Sequence, residues 1–126
     1  MYIRFESNVR DNDARCNQGI FCATFDALNE LSEACHSWQV AEIHDVIDWF
    51  NENLAAPEHV SYRPNQKAAI NGICWFRSSA TVFVSQARYL AWLLGDLGNP
   101  ILERHERRPG RILWEDPYQV VASAYL

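Results

Sequence analysis

Apolar and polar positions alternate from Tyr2 to Ser7, with Ile3 and Phe5 on one side and Arg4 and Glu6 on the other. A period of two predicts a half-buried strand. Asn8 to Gly19 is polar and rich in turn formers, and reads as a loop. The period then lengthens. Phe21, Phe25, Leu28 and Leu31 recur at helical spacing and predict a short helix over Ile20 to Leu31. Val40, Ile43, Ile47, Phe50 and Leu54 form one stripe over Gln39 to Leu54, with Ser37 placed to cap it and Pro57 just beyond its end.

After a Pro-containing loop, Ala69, Ile70, Ile73 and Phe76 suggest another short helix over Lys67 to Arg77. Ser78 or Ser79 is then positioned to cap a long one. Its buried stripe is Phe83, Ala87, Leu90, Leu94 and Leu97, widened by Val82, Val84, Tyr89 and Trp92, and it stops at Gly98 before Pro100. The period shortens again at the C-terminus. Ile101–Arg107, Arg111–Glu115 and Tyr118–Tyr125 read as strands, with Pro109-Gly110 as a turn that makes a hairpin of the first two. The expected fold is a single α+β domain over residues 1–126. It is a two-layer sandwich in which a small, mainly antiparallel sheet is packed by three to four helices.

Charge changes this picture more than composition does. The net charge of −5 divides into −8 over Met1–Glu58 and +3 over the remainder, and no Lys or Arg stands between Cys16 and Arg63. Asymmetry of this kind speaks to partners rather than to fold. No apolar run is long enough for a membrane span, and the N-terminus lacks the features of a signal peptide. A cytoplasmic protein with reduced thiols at Cys16, Cys22, Cys35 and Cys74 is therefore expected.

Two stretches, Asp48-Trp49-Phe50-Asn51-Glu52-Asn53-Leu54 and Arg108 to Asp116 running into Gln119-Val120-Val121-Ala122, resemble an uncharacterised family of small bacterial cytosolic proteins. Ile3–Ser7 and Ile73–Arg77 are similar to further segments of that family. The resemblance implies a bacterial or phage-borne cytosolic protein. It implies no activity, and no catalytic or binding residue is carried over from it.

Candidate chemistry is thin. Cys16, Cys22 and the Cys35-His36 pair lack the two close ligand pairs of a structural zinc site, and His44 with Asp48 lacks a third ligand. Asp11-Asn12-Asp13 opens like a calcium loop but has neither the glycine nor the distal glutamate that completes one. No metal or other cofactor is expected. Cys74 lies in an apolar run that favours an inert thiol, and His105 lies in a polar strand. Arg104, Arg107, Arg108 and Arg111 gather near Trp114 and Tyr118, but Glu103, Glu106, Glu115 and Asp116 are interleaved with them, so nucleic acid is not expected as a partner.

What remains is the acidic face of the second helix. Glu42, Asp45, Asp48 and Glu52, with Trp38 or Trp49 as an anchor, point to a non-enzymatic protein-binding domain for a basic partner, of the inhibitor, immunity or phage counter-defence type. The alternatives are a small enzyme with a His or Cys site in a sheet–helix cleft, and a homo-oligomer assembled through a C-terminal edge strand at Val120–Leu126.

Overall fold

A computed structural model describes residues 1–11, 16–31, 37–56 and 72–123. Among these residues, three helices and a six-stranded antiparallel sheet follow in the order β1 (Tyr2–Asp11), β2 (Cys16–Gly19), α1 (Ile20–Glu30), α2 (Trp38–Asn53), β3 (Gly72–Arg77), α3 (Thr81–Asp96), β4 (Ile101–Glu106), β5 (Arg111–Glu115) and β6 (Gln119–Ser123). The α+β class is as the sequence predicts. The helices lie on one face of the sheet, where Ile3 and Phe5 of β1 and Phe76 of β3 pack with Ile20, Ile43, Phe50, Ala87, Leu90 and Leu94 in the main core.

α2 forms where the apolar stripe and the cap agree. The Ser37 hydroxyl accepts from the Val40 N–H, satisfying one of the orphan donors of the first turn. Ile43, Val46, Ile47 and Phe50 are its buried side. α3 buries Phe83, Val84, Ala87, Leu90, Leu93 and Leu94. It begins after Ala80 with no side-chain cap, so neither Ser78 nor Ser79 plays the expected part. Gly98, at φ 92°, lets the chain leave the helix, and the Asn99 N–H closes the end on the Leu94 carbonyl.

Several sequence expectations are corrected. Residues 72–77 are a strand, not the end of a helix; residues 67–71 lie outside the described residues. A short run buried on both faces carries no period that separates helix from strand. β1 continues to Asp11 through residues read as loop, because β2 pairs with it from Glu6 to Asp11. Phe25, expected in the buried stripe of α1, is exposed, while Ala23, Thr24 and Ala27 face the core. Val82 and Trp92, expected to widen the stripe of α3, are exposed as well.

The C-terminal hairpin is also not formed as expected. β4 pairs with β1 along Tyr2–Ser7, whereas β5 pairs with β6. β3 and β2 share the other edge of β1, and β6 lies between β3 and β5. The strand order across the sheet is therefore β4-β1-β3-β6-β5, with β2 beside the Glu6–Asp11 end of β1. β6 is interior as far as Ser123, so the described part of the stretch that the homo-oligomer alternative took as an edge strand is not an edge; residues 124–126 lie outside the described residues.

This order forces the sheet to coil. Glu106 pairs with Tyr2, level with the Arg77 end of β3, while Arg111 pairs with Ser123, level with Gly72. In a flat sheet those points would stand about 25 Å apart, from four inter-strand spacings and five residues of rise. The four residues joining them reach at most about 18 Å. Gly110 makes the close approach: its φ is 119°, and a Cβ there would lie 1.9 Å from the Ser123 carbonyl oxygen.

The helix-free face of the coiled sheet is buried too. Ile73, Trp75, Val120 and Ala122 form a second apolar cluster with Tyr2 and Cys16 packed against it. Arg4 and Glu6, which the alternation of β1 places on this face, are buried rather than solvated.

Candidate functional site

Two places in the described structure gather polar and aromatic groups in arrangements that need an explanation: the polar network on the helix-free face, and the outer surface of α2 and α3.

The first is an internal ion pair. Arg4 Nε donates to Glu6 Oε2 at 3.2 Å. Its other nitrogens donate to the carbonyls of Cys74 (3.1 Å) and Asn17 (2.9 Å), and Nη2 lies 3.8 Å from Cys16 Sγ. Arg104 approaches Glu6 Oε1 at 3.8 Å and lies 5.6 Å above the ring of Trp75. The indole N–H of Trp75 is buried with no acceptor among the described residues, an unmade bond that costs about 1–3 kcal/mol. Arg4 spends its donors on β2, β3 and Glu6, so this network ties three strands together.

The second is a surface. α2 and α3 run antiparallel, as Gln39 to Asp96, Glu42 to Tyr89 and Trp49 to Phe83 show in turn. Trp38, Glu42, Asp45, Trp49 and Glu52 recur at four- and three-residue steps and share one flank of α2. Tyr89, Trp92 and Asp96 do the same on α3. At the end where α2 begins and α3 finishes, Trp38 and Trp92 meet with ring centroids 6.2 Å apart, and Tyr89 lies nearly parallel to Trp92 at 6.1 Å. Trp38 is 56% exposed and Trp92 55%. Large rings so open and in mutual contact make an apolar pad rather than scattered surface residues.

Carboxylates rim this pad. The Tyr89 hydroxyl donates to Glu42 Oε2 at 3.0 Å, and the Gln39 amide donates to Asp96 Oδ2 at 2.8 Å. The Tyr89 phenol is raised above its ordinary range, first by desolvation and then by the hydrogen bond to Glu42 and its charge, so it remains a donor. Asp45 is exposed on the same flank. Glu52 and Asp96 stand near the C-terminal ends of α2 and α3, where the helix dipole disfavours acids, and neither helix has a base in its last turn.

Of the residues expected to bind a partner, Trp38, Glu42, Asp45 and Glu52 fall on this flank. Asp48 is exposed but lies about 80° round the helix axis from Trp38. Trp49 is half-buried, packed edge-on against Phe50 and tilted against Phe83, and serves the core. Trp92 and Asp96 join the surface without having been expected there, since α3 has apolar residues on most sides and only its pairing with α2 marks Trp92 as outward.

The other candidates separate. His105 Nε2 is 2.6 Å from Glu103, which also receives two hydrogen bonds from Arg88 at 2.7 and 2.9 Å. The Arg88 bonds are the main reason the Glu103 carboxyl is held down at about 2, against partial burial and with help from His105. His44 is exposed on α2, and Cys74 is half-buried in β3. Cys35, His36, His59, Asn12 and Asp13 lie outside the described residues. Among those described, no three His, Cys, Asp or Glu side chains converge as metal ligands.

Near the C-terminus the acids pair largely with bases from elsewhere: Glu115 with Arg77, Glu103 with Arg88, and Glu106 with Arg104. Arg107, Arg108 and Arg111 are exposed without a carboxylate partner among the described residues. No described helix is long and apolar enough to cross a membrane. Comparison of the chain with protein-family models, with curated proteins and with solved structures finds no match.

Proposed function

We propose that this protein is a non-enzymatic binding module that presents the outer flank of α2 and α3 to a basic protein partner. The observation that carries the reading is the contact between Trp38 and Trp92, each more than half exposed, with Glu42 and Asp96 one turn from the rings and Asp45 further along the same flank. Tryptophan is the residue most enriched among those that dominate binding energy, and such residues work when a partner dries them. The carboxylates supply what the rings lack. They steer a cationic surface into encounter and disfavour acidic competitors. Acids at helix C-termini cost the fold a little stability, so a role in recognition accounts for them better than a role in folding.

Glu52, about 10 Å further along α2 from Asp45, extends the negative field. Asp48 contributes charge but not contact. In the reading favoured here the protein acts in the cytoplasm as a small acidic inhibitor, of the immunity or counter-defence type, and its resemblance to small bacterial proteins agrees with that setting. Nucleic acid is a poor fit, since Arg107, Arg108 and Arg111 gather in a chain whose net charge is −5.

Affinity capture from the native host tests this, using wild type, Trp92→Ala, and the pair Asp45→Asn with Glu52→Gln, each at low and high salt. The expected result is a basic partner lost in Trp92→Ala and weakened by the charge variants and by salt. Capture that is undiminished in all variants and insensitive to salt refutes it.

A further inference from the structure

We propose that the Trp38–Trp92 pad is built to receive an arginine side chain of the partner, with the guanidinium flat against the indoles and its N–H groups on the flanking carboxylates. This rests on the protein-binding reading above and specifies its anchor.

The carboxylates beside the pad are held differently from the other paired acids of the fold. Glu6, Glu103, Glu106 and Glu115 each pair with an arginine of this chain. Glu42 and Asp96 have no such partner among the described residues. Both are oriented by neutral donors, the Tyr89 phenol and the Gln39 amide, and each bond uses one oxygen of its carboxylate. A neutral donor fixes the direction of a carboxylate while leaving its charge uncompensated. Glu42 lies one turn beyond Trp38 and Asp96 one turn beyond Trp92, so an oriented carboxylate stands beside each ring.

No Lys or Arg of the described residues lies over Trp38 or Trp92, whereas Arg104 covers Trp75 and Arg77 approaches Tyr2. The nearest base in sequence, Arg88, is engaged with both oxygens of Glu103. The pad thus has ring faces and paired acceptors, and the described residues supply no cation to them. A planar guanidinium satisfies both at once, stacking on an indole while its N–H fork reaches carboxylates. An ammonium is strongly hydrated, has no plane to stack, and would gain mainly from charge.

Two fluorescently labelled ten-residue peptides, one all arginine and one all lysine, separate the contributions of ring and charge. Binding to the intact chain is followed by anisotropy at low ionic strength, with far-UV circular dichroism confirming that every variant is folded. Wild type should bind the arginine peptide about three- to tenfold more tightly than the lysine peptide. Trp38→Leu with Trp92→Leu should remove that preference while salt-sensitive binding of both peptides persists, and Trp38→Phe with Trp92→Phe should retain part of it. Glu42→Gln with Asp96→Asn should weaken both peptides. Equal affinity for the two peptides in wild type, or a preference that survives the double leucine variant, overturns the arginine assignment alone. Failure of both peptides to bind overturns the acidic docking surface as well.

Discussion

Replacing Arg4 by Met removes the cation from a pair that the coiled sheet has enclosed. Arg4 is 8% exposed and Glu6 3%. Without Arg4, Glu6 keeps only the longer approach of Arg104 at 3.8 Å, and that guanidinium is itself about half in solvent. Removing one member of a buried pair typically costs about 3–5 kcal/mol, because the other is left uncompensated. The carbonyls of Cys74 and Asn17 lose a charged donor in the same step, which places the expected loss in the upper part of that range. For a chain of this length the unfolding entropy is about 260 cal/mol/K, so the melting temperature should fall by roughly 10–20 °C. Urea unfolding at pH 7, followed by circular dichroism, measures the loss directly. The double variant Arg4→Met with Glu6→Leu should recover a substantial part of it, since no charge then remains to be buried. A loss below about 1 kcal/mol in Arg4→Met would refute the enclosure of this face.

Four further variants probe separate parts of the fold. The Glu103 carboxyl, lowered from 4.5 to about 2, contributes stability that is present above its unfolded value and disappears as pH falls through about 2. An unscreened shift of that size corresponds to about 3 kcal/mol, but Arg88 is half exposed, so about 1 kcal/mol is expected; Glu103→Gln should be less stable than wild type by that amount at pH 7 and no different near pH 2, and a gap that persists at pH 2 would show that charge is not its origin. Gly110→Ala should cost at least about 2 kcal/mol in urea unfolding, from its positive φ and the clash with the backbone of β6. Gly95→Ala, in a helix and with nothing within 4 Å of the added Cβ, should instead stabilise by about 0.5–1 kcal/mol, and two similar values would mean the close approach at Gly110 is not real. Ser37→Ala should lose about 1 kcal/mol through the Val40 N–H, and an unchanged urea midpoint would remove the cap from the account.

The sequence was most informative where one face of an element meets water and the other meets the core. α2 satisfies that condition, and its stripe, its Ser37 cap and the acids on its outer flank were all legible. β3 and β6 do not, because both their faces are buried; β6 still read as a strand, but β3 was mistaken for the end of a helix. β2, Cys-Asn-Gln-Gly, has no strand signal of its own and is a strand only because β1 runs beside it. Arg4 and Glu6 looked like a solvated face since alternation cannot show that a sheet will coil over itself. Trp92 looked like core for a related reason: apolar residues on most sides of α3 conceal which side is outward. Half of the pad, Trp38 with Glu42 and Asp45, could therefore be read from the chain. The other half required knowing that α3 returns antiparallel beside α2.

Resonances of the five indole N–H groups, Trp38, Trp49, Trp75, Trp92 and Trp114, report residue by residue on recognition at the α2–α3 surface. In a 15N-labelled sample titrated with the arginine peptide, Trp38 and Trp92 should shift together and saturably, and the shifts should shrink with added salt. Trp49, packed against Phe83, and Trp75, buried beneath Arg104, should stay in place. Shifts confined to Trp114 would move the interaction to β5, and an absence of shifts at Trp38 and Trp92 would contradict the α2–α3 surface as the site of recognition.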